Sequence, residues 1–213
     1  FTISRTCTAP PVAPANDDCS GATALPCGTS NLAGTTVGAV SETVPSGCAS
    51  AFGVWYTFTG NGQSTTISST AASGFDHEID IFSGTCGSLT NITCTDGAGS
   101  GGTENYTFSS VSGTTYYVYV AYYTTGATTG TFTISNTCAA PPANDDCTGA
   151  YTVTVNAGTT CTSQTGGTLN AATASAQTTT CNATYDDDDV WYSFVATGTT
   201  HSISINNVAG NNT

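Results

Sequence analysis

Short runs of alternating apolar and polar residues recur along the first two thirds of the chain. A period of two is the signature of strands with one buried face. The runs predict strands at 35–40, 53–59, 64–69, 78–82, 103–109, 115–123 and 129–135, separated by clusters of Gly, Ser and Asn. No stretch carries a sustained helical stripe with a cap. Seven or eight strands in about 120 residues fit an antiparallel two-sheet β-sandwich of jelly-roll type. The alternation also assigns faces. Val54, Tyr56 and Phe58 share one face of their strand, and Trp55 and Thr57 the other. Tyr116, Val118, Val120 and Tyr122 share a face that suits the core. The opposite face carries Tyr117, Tyr119 and Tyr123, a tyrosine row expected to meet solvent, a ligand or a partner. A cross-strand ladder that only stabilises the sheet is the plainer alternative.

The pattern comes round a second time. Phe1-Thr-Ile-Ser-Arg-Thr-Cys7 recurs as Phe132-Thr-Ile-Ser-Asn-Thr-Cys138, Ala15-Asn-Asp-Asp-Cys19 as Ala143-Asn-Asp-Asp-Cys147, and Val54-Trp-Tyr-Thr-Phe58 as Val190-Trp-Tyr-Ser-Phe194. The offsets of 131, 128 and 136 residues make the repeated unit domain-sized. The expected organisation is tandem: residues 1–7 as the final strand of a preceding repeat, 8–14 as a Pro-rich linker, 15–137 as a complete sandwich, 138–143 as a second linker, and 144–213 as the N-terminal part of another sandwich. Proline holds such linkers extended and semi-rigid.

Charge narrows the function. Fourteen acids face one base, Arg5, for a net charge of -13. Nucleic-acid binding relies on Lys and Arg to neutralise phosphates, so it is excluded as an expectation. Docking on an anionic membrane is disfavoured for the same reason. No segment reaches the roughly 18 to 20 apolar residues of a membrane-spanning helix, so no membrane insertion is expected. The near absence of Lys and Arg also denies trypsin-like proteases their cleavage sites.

Ten cysteines point to disulfides and an oxidising compartment. Zinc is the alternative, but there is no Cys-x2-Cys pair and both histidines stand apart from the cysteines. The simplest scheme respecting the repeat pairs Cys7 with Cys19, Cys27 with Cys48, Cys86 with Cys94, Cys138 with Cys147, and Cys161 with Cys181. Other pairings within a unit stay open.

Taken in order, Ala15-Asn-Asp-Asp-Cys19, Gly21-Ala-Thr-Ala-Leu25, Val54-Trp-Tyr-Thr-Phe58, Phe75-Asp-His-Glu-Ile-Asp-Ile-Phe-Ser-Gly-Thr-Cys-Gly-Ser-Leu89, Gly113-Thr-Thr-Tyr-Tyr-Val-Tyr-Val120 and Gly130-Thr-Phe-Thr-Ile134 resemble the bacterial pre-peptidase C-terminal (PPC-like) domains. The resemblance covers most of residues 15–137 and the first half of the next unit. It implies β-sandwiches of secreted bacterial proteins, found beside proteases or in surface proteins of Bacteroidota, and usually non-catalytic. Tyr119 departs from it, standing where a basic residue is common.

Acidic residues are the candidate chemistry. Asp17 and Asp18 follow the first linker; Asp145 and Asp146 follow the second. Asp76, Glu78 and Asp80 alternate, which places them on one strand face. Asp96 lies in a Gly-rich turn, and Asp186, Asp187, Asp188 and Asp189 form a run before the second tryptophan. Hard oxygen donors at this density suit Ca2+, the one cofactor expected. A solvated acidic turn is the plainer reading, since no EF-hand spacing is present. His77, between Asp76 and Glu78, is read as an exposed or edge histidine before a metal ligand or general base. His201 lies in an ordinary strand.

Catalysis finds little footing. There is no Gly-x-Ser-x-Gly elbow, no cysteine expected free for nucleophilic work, and no aromatic-lined cleft between paired acids. Asn91, Asn105, Asn182 and Asn211 head Asn-x-Ser/Thr sequons and are candidate glycosylation sites.

The expected protein is therefore a non-catalytic extracellular or cell-surface structural repeat protein. It would form a fibre or stalk by head-to-tail packing of copies of itself, with strand addition by the segment from Phe1 to Ser4. The alternatives are an adhesin or carbohydrate-binding module that recognises glycans, and an accessory domain of a secreted protease.

Overall fold

The computed structural model describes residues 1–4, 9–44, 51–126, 128–158, 162–173 and 189–206. They fall into two compact units, Phe1–Ala140 and Pro141–Thr213.

Among the described residues the first unit is a β-sandwich of nine strands: β1 (Thr23–Ala24), β2 (Thr29–Thr35), β3 (Val54–Thr59), β4 (Ser64–Ala71), β5 (His77–Thr85), β6 (Ser88–Thr95), β7 (Thr103–Ser109), β8 (Thr115–Tyr122) and β9 (Thr131–Ala139). One sheet has the order β1-β3-β8-β5-β6 and the other β2-β9-β4-β7. All pairings are antiparallel except the short parallel contact of β1 with β3.

The predicted strand at 35–40 is displaced. β2 ends at Thr35, and the chain then turns through Gly38, whose φ of +89° a side chain would resist. Val37 and Val40 are exposed there. Two strands had no usable signal. β1 spans two residues, and β6 is a sheet edge with exposed Ser88, Thr90 and Ile92, so no clean apolar alternation marks it. β9 runs through Cys138 to Ala139, so the sheet extends into the segment expected as linker.

Two apolar layers follow from the alternation. Between the sheets, Val54, Tyr56, Phe58, Ile79, Ile81, Val118 and Val120 meet Ile67, Phe132 and Ile134, as the valine face predicted. The outer face of the five-stranded sheet holds a second cluster of Trp55, Phe82, Tyr119 and Ala121, against which Cys19, Ala22, Val44, Leu89 and Tyr117 pack. Here the outer face of a sandwich, usually wet, is covered.

The disulfides are long-range and overturn the local scheme. Cys19 bonds Cys86 across 67 residues, and Cys27 bonds Cys138 across 111. Pairs 7–19, 27–48, 86–94 and 138–147 are thereby excluded. The physical reason is strand pairing: Gly28 N donates to Asn136 O at 2.8 Å and Asn136 Nδ2 to Leu25 O at 2.8 Å. These bonds bring the chain ends of the unit side by side. Cys94 is also disulfide-bonded. Cys147 is free and exposed. Cys7, Cys48, Cys161 and Cys181 lie outside the described residues.

The second unit repeats the start of the first. β10 (Tyr151–Thr152) pairs in parallel with β11 (Tyr192–Ser193), as β1 does with β3. A short 3-10 turn precedes β1 at Cys19–Gly21 and β10 at Cys147–Gly149. In both turns the glycine is required by proximity: a Cβ on Gly21 would sit 2.5 Å from Ala15 O, and one on Gly149 2.3 Å from Ala143 O.

Residues 1–4 lie in no strand. Phe1 and Ile3 are exposed, whereas Phe132 and Ile134 of the same Phe-Thr-Ile-Ser sequence are 4% and 0% exposed inside β9.

Candidate functional site

The Asn-Asp-Asp segment fixes the entry to each unit. Beyond β3 the sheet has no neighbour at Trp55, because β1 begins opposite Tyr56. Asn16 fills the place: its Nδ2 donates to Trp55 O at 2.8 Å and its carbonyl accepts from Trp55 N at 2.8 Å. Asn144 does the same for Trp191, at 3.0 Å and 2.7 Å. Asp17 is buried, and its Oδ1 accepts from Val40 N at 2.9 Å. Asp145 accepts from Thr173 N at 2.7 Å and Thr173 Oγ1 at 2.6 Å. These aspartates clamp loops through backbone amides. Asp18 and Asp146 are exposed beside the 3-10 turns and cap no amide with their side chains.

The remaining acids of the first unit converge elsewhere, on the outer face of the five-stranded sheet beside β6. Glu78, Asp80 and Phe82 point to that face of β5, opposite Ile79 and Ile81, which enter the core. Glu78 and Asp80 are both fully buried. Asp80 lies across from Tyr119 on one side and from Cys94 on the other. Ligand atoms of Glu78, Asp80 and Cys94 fall within 4.8 Å of one another. Asn91 Nδ2 donates to Asp80 Oδ1 at 3.4 Å and to Thr93 O at 3.3 Å. Glu78 Oε1 has no hydrogen-bond partner, and neither has Asp76 Oδ1 just before the strand.

Electrostatics register the crowding. Burial raises the Glu78 carboxyl to about 9, and Asp80, Asp96, Glu104 and Asp76 push in the same direction. Asp96 is exposed in the turn after β6. Its carboxyl is also raised, by desolvation and then by Asp76 and Glu104. Glu104 was not singled out from the sequence. It is buried on β7 and accepts from Gly97 N at 3.0 and 2.9 Å and from Ala98 N at 2.6 Å, which pins the Gly-rich turn carrying Asp96. The Asp-Gly-Ala-Gly turn was its only sequence signal, because donors of that kind need an acceptor.

Glu42 forms a separate acidic feature. It accepts from Trp55 Nε1 at the margin of the outer cluster. Desolvation raises its carboxyl to about 7 against the lowering effect of that bond, with Asp18 and Asp17 adding to the rise.

The structure corrects two expectations. His77 is neither exposed nor at an edge. It is buried between the sheets, stacked near Phe75 and Phe132, with Nε2 2.8 Å from Ser69 Oγ. Desolvation lowers its pKa, so the core holds a neutral imidazole. The tyrosine row is also broken. Tyr119 is fully buried, packing against Trp55 with ring centroids 4.7 Å apart. A Cβ on Gly53 would come 2.3 Å from its ring. Tyr117 is half-buried, and Tyr123 is the exposed member, edge-on to Tyr122 at 4.8 Å.

Of the other candidates, Asn91 is engaged as above and Asn105 is exposed on β7. Asp189 is partly exposed. Asp186, Asp187, Asp188, Asn182, Asn211 and Arg5 lie outside the described residues. His201 accepts from Thr197 N and Gly198 N at 3.3 Å.

A two-sheet sandwich with a pinned entry and a covered outer face defines the class: an all-β domain with disulfide staples. The model of a T9SS-associated family described as "galactose binding domain-like" matches residues 15–134 and 143–213, and the chain belongs to that family. Among solved structures, the pre-peptidase C-terminal domain of a collagenase from Bacillus anthracis is 17% identical with a TM-score of 0.40. It aligns over 54% of this chain and 93% of its own. PliG of Aeromonas hydrophila, a periplasmic inhibitor of g-type lysozyme, is 13% identical with a TM-score of 0.37, over 55% of this chain and 96% of its own. No curated protein matches the chain. Membership of a T9SS-associated family makes this a secreted or cell-surface protein. Among the described residues no helix is long and apolar enough to cross a membrane.

Proposed function

We propose that the chain is a non-catalytic structural segment of a secreted repeat protein whose units pack head to tail by strand addition. One observation carries this reading. The Phe-Thr-Ile-Ser sequence buries its Phe and Ile when it lies in β9, and exposes both at residues 1–4. The exposed copy has the alternation of a strand but lies in no strand among the described residues. A neighbouring unit lacking its last strand would give it a sheet to join, with main-chain hydrogen bonds for affinity and two apolar pockets for register.

The test is the isolated chain in solution, by light scattering and negative-stain microscopy, with Ile3→Asp as the variant. Concentration-dependent association into linear particles, weakened by Ile3→Asp, supports the reading. A strictly monomeric chain, or association indifferent to Ile3→Asp, overturns it.

A carbohydrate-binding role is the second reading. It is favoured by the family description and by the exposed Tyr123, edge-on to the half-buried Tyr122, a surface of the kind that stacks on sugar rings. A glycan-array signal lost in Tyr123→Ala would favour it over the structural one.

A further inference from the structure

We infer that the Glu78–Asp80 carboxylate pair on the outer face of the five-stranded sheet is a binding site for a hard divalent cation, Ca2+ by preference, with Asp76 and Asp96 at its margin. Three independent features meet there. The first is an orphan: Glu78 is fully buried, yet its Oε1 has no hydrogen-bond partner. A buried polar atom without a partner is costly, and an unmodified protein surface offers no reason to keep one. The second is spacing. The donor atoms of Glu78 and Asp80 lie within 4.8 Å, which matches two oxygens bound at 2.3–2.6 Å on either side of one Ca2+. The third is acidity: fourteen acids face a single base in the whole chain, and that base, Arg5, lies outside the described residues. His77 belongs to the same strand, but its ring enters the core, away from this face.

The donor set also selects the ion. Cys94 belongs to the cluster by distance, but its sulfur is in a disulfide and cannot serve as a thiolate. Oxygen remains as the donor, which disfavours zinc and favours calcium or magnesium. Mg2+ demands shorter, near-octahedral bonds and retains several waters; an enclosed pair of carboxylates beside an aromatic cluster suits the larger, more tolerant ion. Asn91, bonded to Asp80 Oδ1, sets the orientation of that carboxylate. Glu104 pins the turn that carries Asp96, so the margin of the site is fixed in advance.

CaCl2 alone is titrated into the full chain by calorimetry, with thermal unfolding followed in parallel. The expected result is one bound ion per chain and a Tm that rises with calcium. Glu78→Gln and Asp80→Asn should each weaken binding at least about tenfold, because each removes a charged ligand. The exposed Asp18→Asn should leave it unchanged. In EDTA, Glu78→Gln should melt no lower than the parent chain, since Glu78 Oε1 has no hydrogen bond to lose. No heat and no Tm shift up to about 10 mM CaCl2, beyond the range of extracellular sites, would overturn the assignment. So would binding that survives both substitutions. If either variant fails to fold, Tb3+ luminescence of the parent chain decides. Tyr119 across from Asp80, with Trp55 packed on it, should sensitise it and CaCl2 should quench it; a dark or calcium-insensitive signal rejects the site.

Discussion

Asn16 holds Trp55 by two main-chain bonds, one from its side-chain amide and one to its carbonyl, and so acts as a one-residue strand at the sheet edge. The pairing of Asn144 with Trp191 repeats it in the second unit. The motif is thus a folding element rather than a ligand set. Replacing Asn16 by Ala leaves Trp55 O without its donor, and a lost buried bond of this kind costs about 1–3 kcal/mol. Urea denaturation should show that loss for Asn16→Ala. Asn16→Asp should not rescue it, because a carboxylate cannot donate to a carbonyl.

The two long-range disulfides define a second outcome. Non-reducing digestion and mass spectrometry should recover peptides joining Cys19 to Cys86 and Cys27 to Cys138. Closing a loop of 111 residues restricts the unfolded chain strongly, by about 4–5 kcal/mol in the chain-entropy model. The Cys27→Ser, Cys138→Ser double variant should therefore lose about 2–5 kcal/mol of stability. Recovery of a Cys27–Cys48 peptide from the folded protein would contradict the fold.

The contrast between these bonds and the sequence shows what period and spacing can carry. Alternation in 54–58 and 115–122 was enough to place Val54, Tyr56, Val118 and Val120 in the core, because burial on one face writes itself into every second residue. It was not enough for Tyr119. A covered outer face buries the other set of residues as well, and its cover comes from distant segments around Cys19, Val44 and Leu89. The same non-locality hid the disulfides, the Ser69–His77 contact and the role of Glu104. Asp76, Glu78 and Asp80 were visible as a cluster because they are local in sequence. That Glu78 and Asp80 are buried beside a disulfide depends on β6, an edge strand too polar to announce itself.

Gly53 gives a steric prediction at the same covered face. A methyl group there would overlap the Tyr119 ring, whose position is fixed by Trp55. Overpacking of this sort costs about 1–3 kcal/mol. Gly53→Ala should lower the Tm and alter Trp55 emission, whereas Gly87→Ala, with no atom near its Cβ, should change only the strain of a φ of +90°. Equal effects on Trp55 emission from both substitutions would argue against the packing described.

The Glu42 carboxyl links this face to pH. Its folded value is about 7 against an ordinary 4.5, chiefly because it is partly desolvated, with Asp18 and Asp17 opposing its ionisation. The folded protein therefore keeps a proton that the unfolded chain releases. Between about pH 4.5 and 7 the unfolded state binds fewer protons, so Glu42's contribution to stability falls as pH rises through that window and is flat above it. Because Trp55 Nε1 donates to this carboxylate, the titration should be visible as a change in indole emission. In a Trp191→Phe background, which leaves Trp55 as the sole tryptophan, emission should titrate with a midpoint near 7. Glu42→Gln should abolish that transition and flatten the stability profile over the same range. A midpoint near 4.5, or a transition that persists in Glu42→Gln, would show that Glu42 is fully hydrated and that the segment carrying Val44 does not cover Trp55.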